Sequence, residues 1–280
     1  MKSLLKTIFT FMGLIYSILS FASKQIDSLN IFSKSMNKNI PAAIVLPNSY
    51  FEDTTSTFPV IYLLHGYSGN YKGYIDHMLN IRELANTNKV IFVCPDGGYG
   101  SWYFDSPIDE KFKYETHIAN EVVDFIDIHY RTIKKREFRG IVGLSMGGHG
   151  ALYLTIKHPD IFGIAGSMSG GVDFREFPDS WDIKKRLGKY DTNKQVWNSH
   201  TVIELCENWP KNTPLLIDCG VKDFMIDVNR KLHLKLLSLN IDHTYTERPG
   251  DHNWAYWKVS TLDQIEFVSN YFNNLLLNKK

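Results

Sequence analysis

Apolar runs of strand length alternate with amphipathic stretches along most of this chain. Near the start, Ile26 to Met36 alternates loosely and Ile40 to Leu46 is apolar, which predicts two antiparallel strands joined near Asn37-Lys38-Asn39. Val60 to Leu64 is a near-continuous apolar run ending in His65-Gly66, the pattern of a strand buried on both faces. Met78 to Ala85 reads as a helix, Val90 to Val93 as the next strand, and His117 to Tyr130 as a longer helix. Further strands are expected at Phe162 to Met168, Leu215 to Cys219 and Asp242 to Glu247, with a helix over Val228 to Leu239. Strands alternating with helices predict an α/β architecture, a mostly parallel central sheet flanked by helices.

Between residues 172 and 213 this rhythm breaks into a polar segment carrying Phe174, Phe177, Trp181, Tyr190 and Trp197. It reads as an insertion over the carboxyl edge of the sheet, where ligands bind in open α/β folds. Either its own aromatics staple it as a surface excursion, or it covers a substrate as a lid.

Composition adds a single-domain reading. The 280 residues are 44% hydrophobic, enough for one sizeable core, and no linker, repeat or low-complexity tract divides residues 23–280. The formal net charge is +1, with both signs scattered, so there is no basic patch for nucleic acid. The first 22 residues differ: Lys2 and Lys6 precede an apolar stretch from Ile8 to Phe21, with Ser20 and Ala22 as small residues before a cut. That layout predicts a signal peptide over residues 1–22, and the run is shorter than the roughly 20 apolar residues a membrane span needs. The mature protein is then expected in the periplasm or outside the cell, with no stable membrane span. Three cysteines, Cys94, Cys206 and Cys219, leave at least one without an intramolecular partner. No residues have metal-ligand spacing, so neither a metal nor a cofactor is expected.

The candidate chemistry centres on Gly143-Leu144-Ser145-Met146-Gly147-Gly148. It follows the apolar Ile141-Val142 strand and precedes a helical pattern, the context that turns a Gly-x-Ser-x-Gly pentapeptide into a nucleophile elbow. A serine hydroxyl needs a base to take its proton and a carboxylate to orient that base. Asp223 is the favoured carboxylate, because it lies beyond the strand Leu215 to Cys219. Asp218 points into the sheet packing from within that strand, and Asp227 lies a turn into the next helix. His252 is the favoured base: its loop, Pro249-Gly250-Asp251-His252-Asn253-Trp254, follows the last expected strand and can fold back over the elbow. His65 and His149 read as structural or lining residues. The backbone N–H groups of Met146 and Tyr67, the latter in Leu64-His65-Gly66-Tyr67-Ser68-Gly69, are candidate oxyanion donors.

These pieces, with Pro95-Asp96-Gly97-Gly98 and Ser101-Trp102-Tyr103, fall in the order found in the esterase D family of α/β-hydrolases, which the chain resembles over most of its length. The resemblance implies an α/β-hydrolase fold and cofactor-free hydrolysis of an ester or thioester through an acyl-enzyme. It implies Ser145 as nucleophile, Asp223 as acid, His252 as base, and Tyr67 with Met146 as the oxyanion hole. Trp102 matches a loop that borders the site in relatives, so Trp102 and His149 are candidate pocket residues, with a core role as the alternative for each. An exported member would meet short-chain acyl esters or acetyl and feruloyl groups on polysaccharide. A cytosolic one would suit S-formylglutathione, and a transferase would pass the acyl group to a sugar hydroxyl. An inactive binding module is disfavoured because all three triad members are present. The sequence leaves the oligomeric state open.

Overall fold

The computed structural model describes residues 25–278. The expected signal peptide therefore lies outside the described residues. Eight strands form one sheet in the order β1-β2-β4-β3-β5-β6-β7-β8. The strands are β1 (Ile26–Ser33), β2 (Lys38–Val45), β3 (Val60–Leu64), β4 (Ile91–Pro95), β5 (Arg139–Leu144), β6 (Ile164–Met168), β7 (Leu215–Gly220) and β8 (Thr244–Arg248). β1 and β2 are an antiparallel pair, β2 is antiparallel to β4, and every pairing from β4 through β8 is parallel.

Side chains alternate across the sheet, and the two faces bury different helices. Val60, Tyr62 and Leu64 of β3 pack in one core layer with helices α2 (Val123–His129), α3 (Met146–Lys157) and α4 (Ile226–Ser238). Ile61 and Leu63 point to the other layer, with α1 (Ile81–Asn88) and α5 (Trp254–Leu277). The strands in the middle of the sheet are buried along their whole length, which is why they read as continuous apolar runs.

The helix expected over Met78 to Ala85 begins three residues later, as α1, after a separate short helix Gly73–His77; Met78 leaves helical torsions and Leu79 stands in solvent. The helix α5 had no sequence-based expectation. Its inward face carries the buried polar residues Ser260, Thr261, Gln264 and Ser269, which blur the apolar periodicity a core-facing helix shows.

Residues 172–213 fold as short helices fixed to the body. Val172, Phe174, Ile183, Leu187, Trp197 and Val202 are buried in the α2–α4 core layer, and the Trp197 indole donates to the Gly188 carbonyl at 3.0 Å. All three cysteines are buried thiols without a disulfide. Among the described residues, no helix is long and apolar enough to cross a membrane.

Candidate active site

The turn between β5 and α3 explains the glycine pattern. Ser145 has φ 56° and ψ −117°, a strained conformation for a residue with a side chain. A Cβ on Gly143 would collide with the Gly147 carbonyl, and one on Gly147 with the Leu64 carbonyl of β3. Only hydrogen fits at either position. The tight turn makes Ser145 the one incompletely buried residue between Phe138 and Ile156. Its amide is held by the Met168 carbonyl at 2.9 Å, and its carbonyl accepts from His149 and Gly171.

The other two groups arrive from the ends of β7 and β8. The structure brings His252 Nε2 to 2.9 Å from Ser145 Oγ, and His252 Nδ1 to 2.8 and 2.9 Å from the two Asp223 oxygens. Asp223 is 2% exposed, and its Oδ1 also accepts the Met225 amide at 2.8 Å. With both carboxylate oxygens facing Nδ1, that nitrogen carries the proton and Nε2 faces the hydroxyl as an acceptor. Asn253 caps α5 directly after His252, its side chain accepting from the Ala255 and Tyr256 amides. The base thus sits on the last residue before a capped helix.

Asp218 and Asp227 stay out of this relay. Asp218 is fully buried under α5 and accepts from Tyr256, Ser260 and Gln264; burial raises its pKa. Asp227 sits in the first turn of α4, paired at 3.6 Å with Arg230.

Two backbone amides border the elbow. Met146 opens α3, where the first N–H groups lack intrahelical acceptors. Tyr67 lies in the loop after β3. Among the described residues neither amide has a protein acceptor. The loop lies against the elbow, for a Cβ on Gly66 would sit 2.9 Å from Leu144 Cδ1 and 3.3 Å from Ser145 Cβ.

His65 braces that loop. Its Nδ1 lies 2.8 Å from the Gly66 carbonyl, and its Nε2 accepts the Gly97 amide at 2.8 Å. Burial holds its pKa below the ordinary histidine value.

The cavity over Ser145 has a volume of about 360 Å³. Aromatic side chains wall it: Trp181, Phe224 from the loop after β7, Trp254 and Trp257 from α5, with Tyr67 and His77. Phe224 packs on the His252 ring at 4.3 Å between centroids and stacks on Trp181 at 5.7 Å. Trp254 stacks on His77 at 4.2 Å. A larger cleft of about 1040 Å³ opens at the other ends of β7 and β8, around Trp209 and Tyr271, away from Ser145.

Trp102 and His149 do not line the cavity, and the core alternative holds for both. Each is buried: Trp102 donates its indole N–H to the Trp181 carbonyl at 3.1 Å, and the His149 ring nitrogens lie 3.1 and 2.8 Å from the Trp102 and His200 carbonyls, to one of which the neutral ring donates. They support the wall from behind. The walls themselves were within reach of sequence reasoning at Phe224 and Trp254, which adjoin Asp223 and follow His252. Trp181 carried no such signal; its position depends on left-handed torsions at Trp181 and Asp182 and a hydrogen bond from the Tyr67 hydroxyl to Asp182.

The chain is similar to known esterases. An acetyl esterase of Caldicellulosiruptor saccharolyticus is 27% identical over 87% of this chain and 98% of its own length. A ferulic acid esterase structure superposes with a TM-score of 0.77 at 25% identity, covering 88% of this chain and 98% of that one. An S-formylglutathione hydrolase from Staphylococcus aureus gives 0.76 at 25% identity, over 87% and 98%. The family model described as putative esterase matches residues 33–266, and the chain belongs to that family.

Proposed function

We propose that this chain is a serine carboxylic ester hydrolase that works through an acyl-enzyme, and that it acts on short-chain acyl esters, including acetyl or feruloyl groups carried on polysaccharide. The observation that carries the reading is the hydrogen-bonded series Ser145 Oγ, His252 and Asp223, beside the Tyr67 and Met146 amides, which have no protein acceptor among the described residues. Ser145 Oγ attacks the carbonyl carbon while its proton passes to His252 Nε2. Asp223 holds the other ring proton and stabilises the imidazolium that forms. The Tyr67 and Met146 amides receive the negative oxygen of the tetrahedral intermediate, and the start of α3 adds its dipole. The imidazolium then protonates the departing alcohol. A water molecule, activated by the same ring, releases the acid in the second half-reaction.

The acetyl esterase relative and the ferulic acid esterase neighbour support the substrate class, as do the aromatic walls of the cavity. The S. aureus neighbour favours a second reading, hydrolysis of a thioester such as S-formylglutathione. We place the mature protein in the periplasm or outside the cell, on the signal-peptide pattern of residues 1–22. A panel of acetyl, butyryl and feruloyl esters with S-formylglutathione separates the readings: oxygen esters turn over fastest if the first is right, the thioester if the second is. Intact-mass analysis of exported protein should give a chain beginning near Ser23, and a full-length cytosolic product would contradict the export reading.

A further inference from the structure

An oxyanion donor on a glycine-flanked loop has to be aimed. In a trans peptide the carbonyl and the following N–H lie in one plane and point in opposite directions. The Tyr67 N–H shares its plane with the Gly66 carbonyl, so whatever fixes that carbonyl fixes the donor. Gly66 itself supplies no side chain to do so, and a Cβ there would crowd Leu144 Cδ1 at 2.9 Å.

Two donors hold the Gly66 carbonyl: the Gly69 amide at 3.0 Å and His65 Nδ1 at 2.8 Å. A carbonyl oxygen has two lone pairs, and both are used. The ring is fixed in turn. A backbone amide can only donate, so the 2.8 Å contact from Gly97 N–H makes His65 Nε2 the acceptor and leaves the proton on Nδ1. The Tyr103 hydroxyl donates to the His65 carbonyl at 3.0 Å, and the residue is 2% exposed. Its tautomer is thereby set by the loop after β4, and its one N–H is spent on the Gly66 carbonyl.

We infer that His65 is a positioning residue: its Nδ1–H, bonded to the Gly66 carbonyl, sets the Gly66–Tyr67 peptide plane and aims the Tyr67 amide at the oxygen that becomes negative beside Ser145. This rests on the ester hydrolase reading. It differs from a purely structural role, in which His65 would matter only for tying the loop after β3 to Gly97.

Two variants separate the roles. An asparagine side-chain nitrogen reaches the Nδ1 position but not Nε2, and a glutamine reaches Nε2 but not Nδ1. His65→Asn keeps the donor to Gly66 and loses the Gly97 tie; His65→Gln does the reverse. His65→Gln should lower kcat about 10- to 100-fold with KM changed less than about threefold, part of the 100- to 1,000-fold cost of deleting an oxyanion donor. Its affinity for a boronate that forms a tetrahedral adduct should fall by the factor seen in kcat/KM. His65→Asn should recover most of both. Equal kcat in wild type and a folded Gln variant, or a greater kcat loss in Asn than in Gln, overturns the assignment. In the unaltered enzyme nitrogen NMR must place the His65 ring proton on Nδ1, and an Nε2-protonated ring contradicts the inference. If the unaltered enzyme hydrolyses no ester and its Ser145 forms no adduct, the function reading has failed instead.

Discussion

The Tyr256 hydroxyl donates to Asp218 Oδ1 at 2.9 Å, so the carboxylate that stays outside the relay clamps the helix that starts two residues after His252. Ser260 at 2.5 Å and Gln264 at 2.7 Å extend the clamp along the same face of α5. Two nearby aspartates therefore have different tasks. Asp223 orients a ring, and Asp218 seats the helix that begins just after that ring's loop.

Asp223→Asn should lower kcat on a short acyl ester by about 1,000- to 10,000-fold, because the ring loses the carboxylate that selects its tautomer. Asp218→Asn should stay within about tenfold of wild type, since Gln264 Oε1 has no partner among the described residues and can turn to meet the new amide. Burial raises the folded pKa of Asp218, so ionising it costs stability as pH rises from the ordinary carboxylate range through that raised value. The variant should lose this component of the pH dependence. Steady-state kinetics and urea melts at several pH values check both. A reversed order of kcat would exchange the two roles.

His149 supplies an acid-sensitive element. Burial lowers its pKa to about 4, and its ring is enclosed by Trp102, Tyr153, Phe174 and the His200 carbonyl. The unfolded chain binds a proton near pH 6.5, where the folded ring does not, so stability falls as pH drops from there to about 4. The full span amounts to about 3 kcal/mol for this one ring. His149→Gln should be less stable at neutral pH yet show a shallower loss on acidification. Parallel slopes in urea melts at pH 7 and pH 5 would remove His149 as the cause.

Gly143→Ala and Gly147→Ala should each disable the elbow. Either Cβ meets backbone rather than a movable side chain, so the turn must open. Overpacking of this kind typically costs about 1–3 kcal/mol, and displacement of Ser145 adds a loss of activity beyond any loss of folded protein. Activity per folded molecule, with folding measured by circular dichroism, is the check; wild-type turnover in either variant would show that the turn tolerates a side chain.

Trp181→Ala should raise KM for a feruloyl ester at least about fivefold while leaving labelling of Ser145 by a small fluorophosphonate unchanged. The ring stacks on Phe224 and walls the cavity, and among the described residues it makes no hydrogen bond to the Ser145–His252–Asp223 series. An equal effect on acetyl and feruloyl esters would argue against aromatic contact with the acyl group.

The parts of the fold legible in the sequence were those with strong local patterns. Val60–Leu64 was readable to the residue because both faces of β3 are buried, and the elbow because its glycines meet backbone on two sides. Asp223 and His252 could be placed because each follows the carboxyl end of a strand. What escaped depended on tertiary partners. Helix α5 hid behind its inward polar side chains, which make sense only beside Asp218. Trp102 and His149 are the residue types of a pocket, but residues 172–213 pack over them and leave Trp181 lining the cavity.

The central claim, that Ser145 is the nucleophile of an ester hydrolase, meets its most direct test in active-site labelling of the wild type beside Ser145→Ala. A fluorophosphonate should add once to the wild-type chain, at Ser145 by peptide mass mapping, with activity on a short-chain chromogenic ester falling in proportion to the label. Ser145→Ala should fold, take no label and lose turnover by a factor on the order of a million. Labelling at another residue, or substantial turnover in the folded alanine variant, would contradict the account.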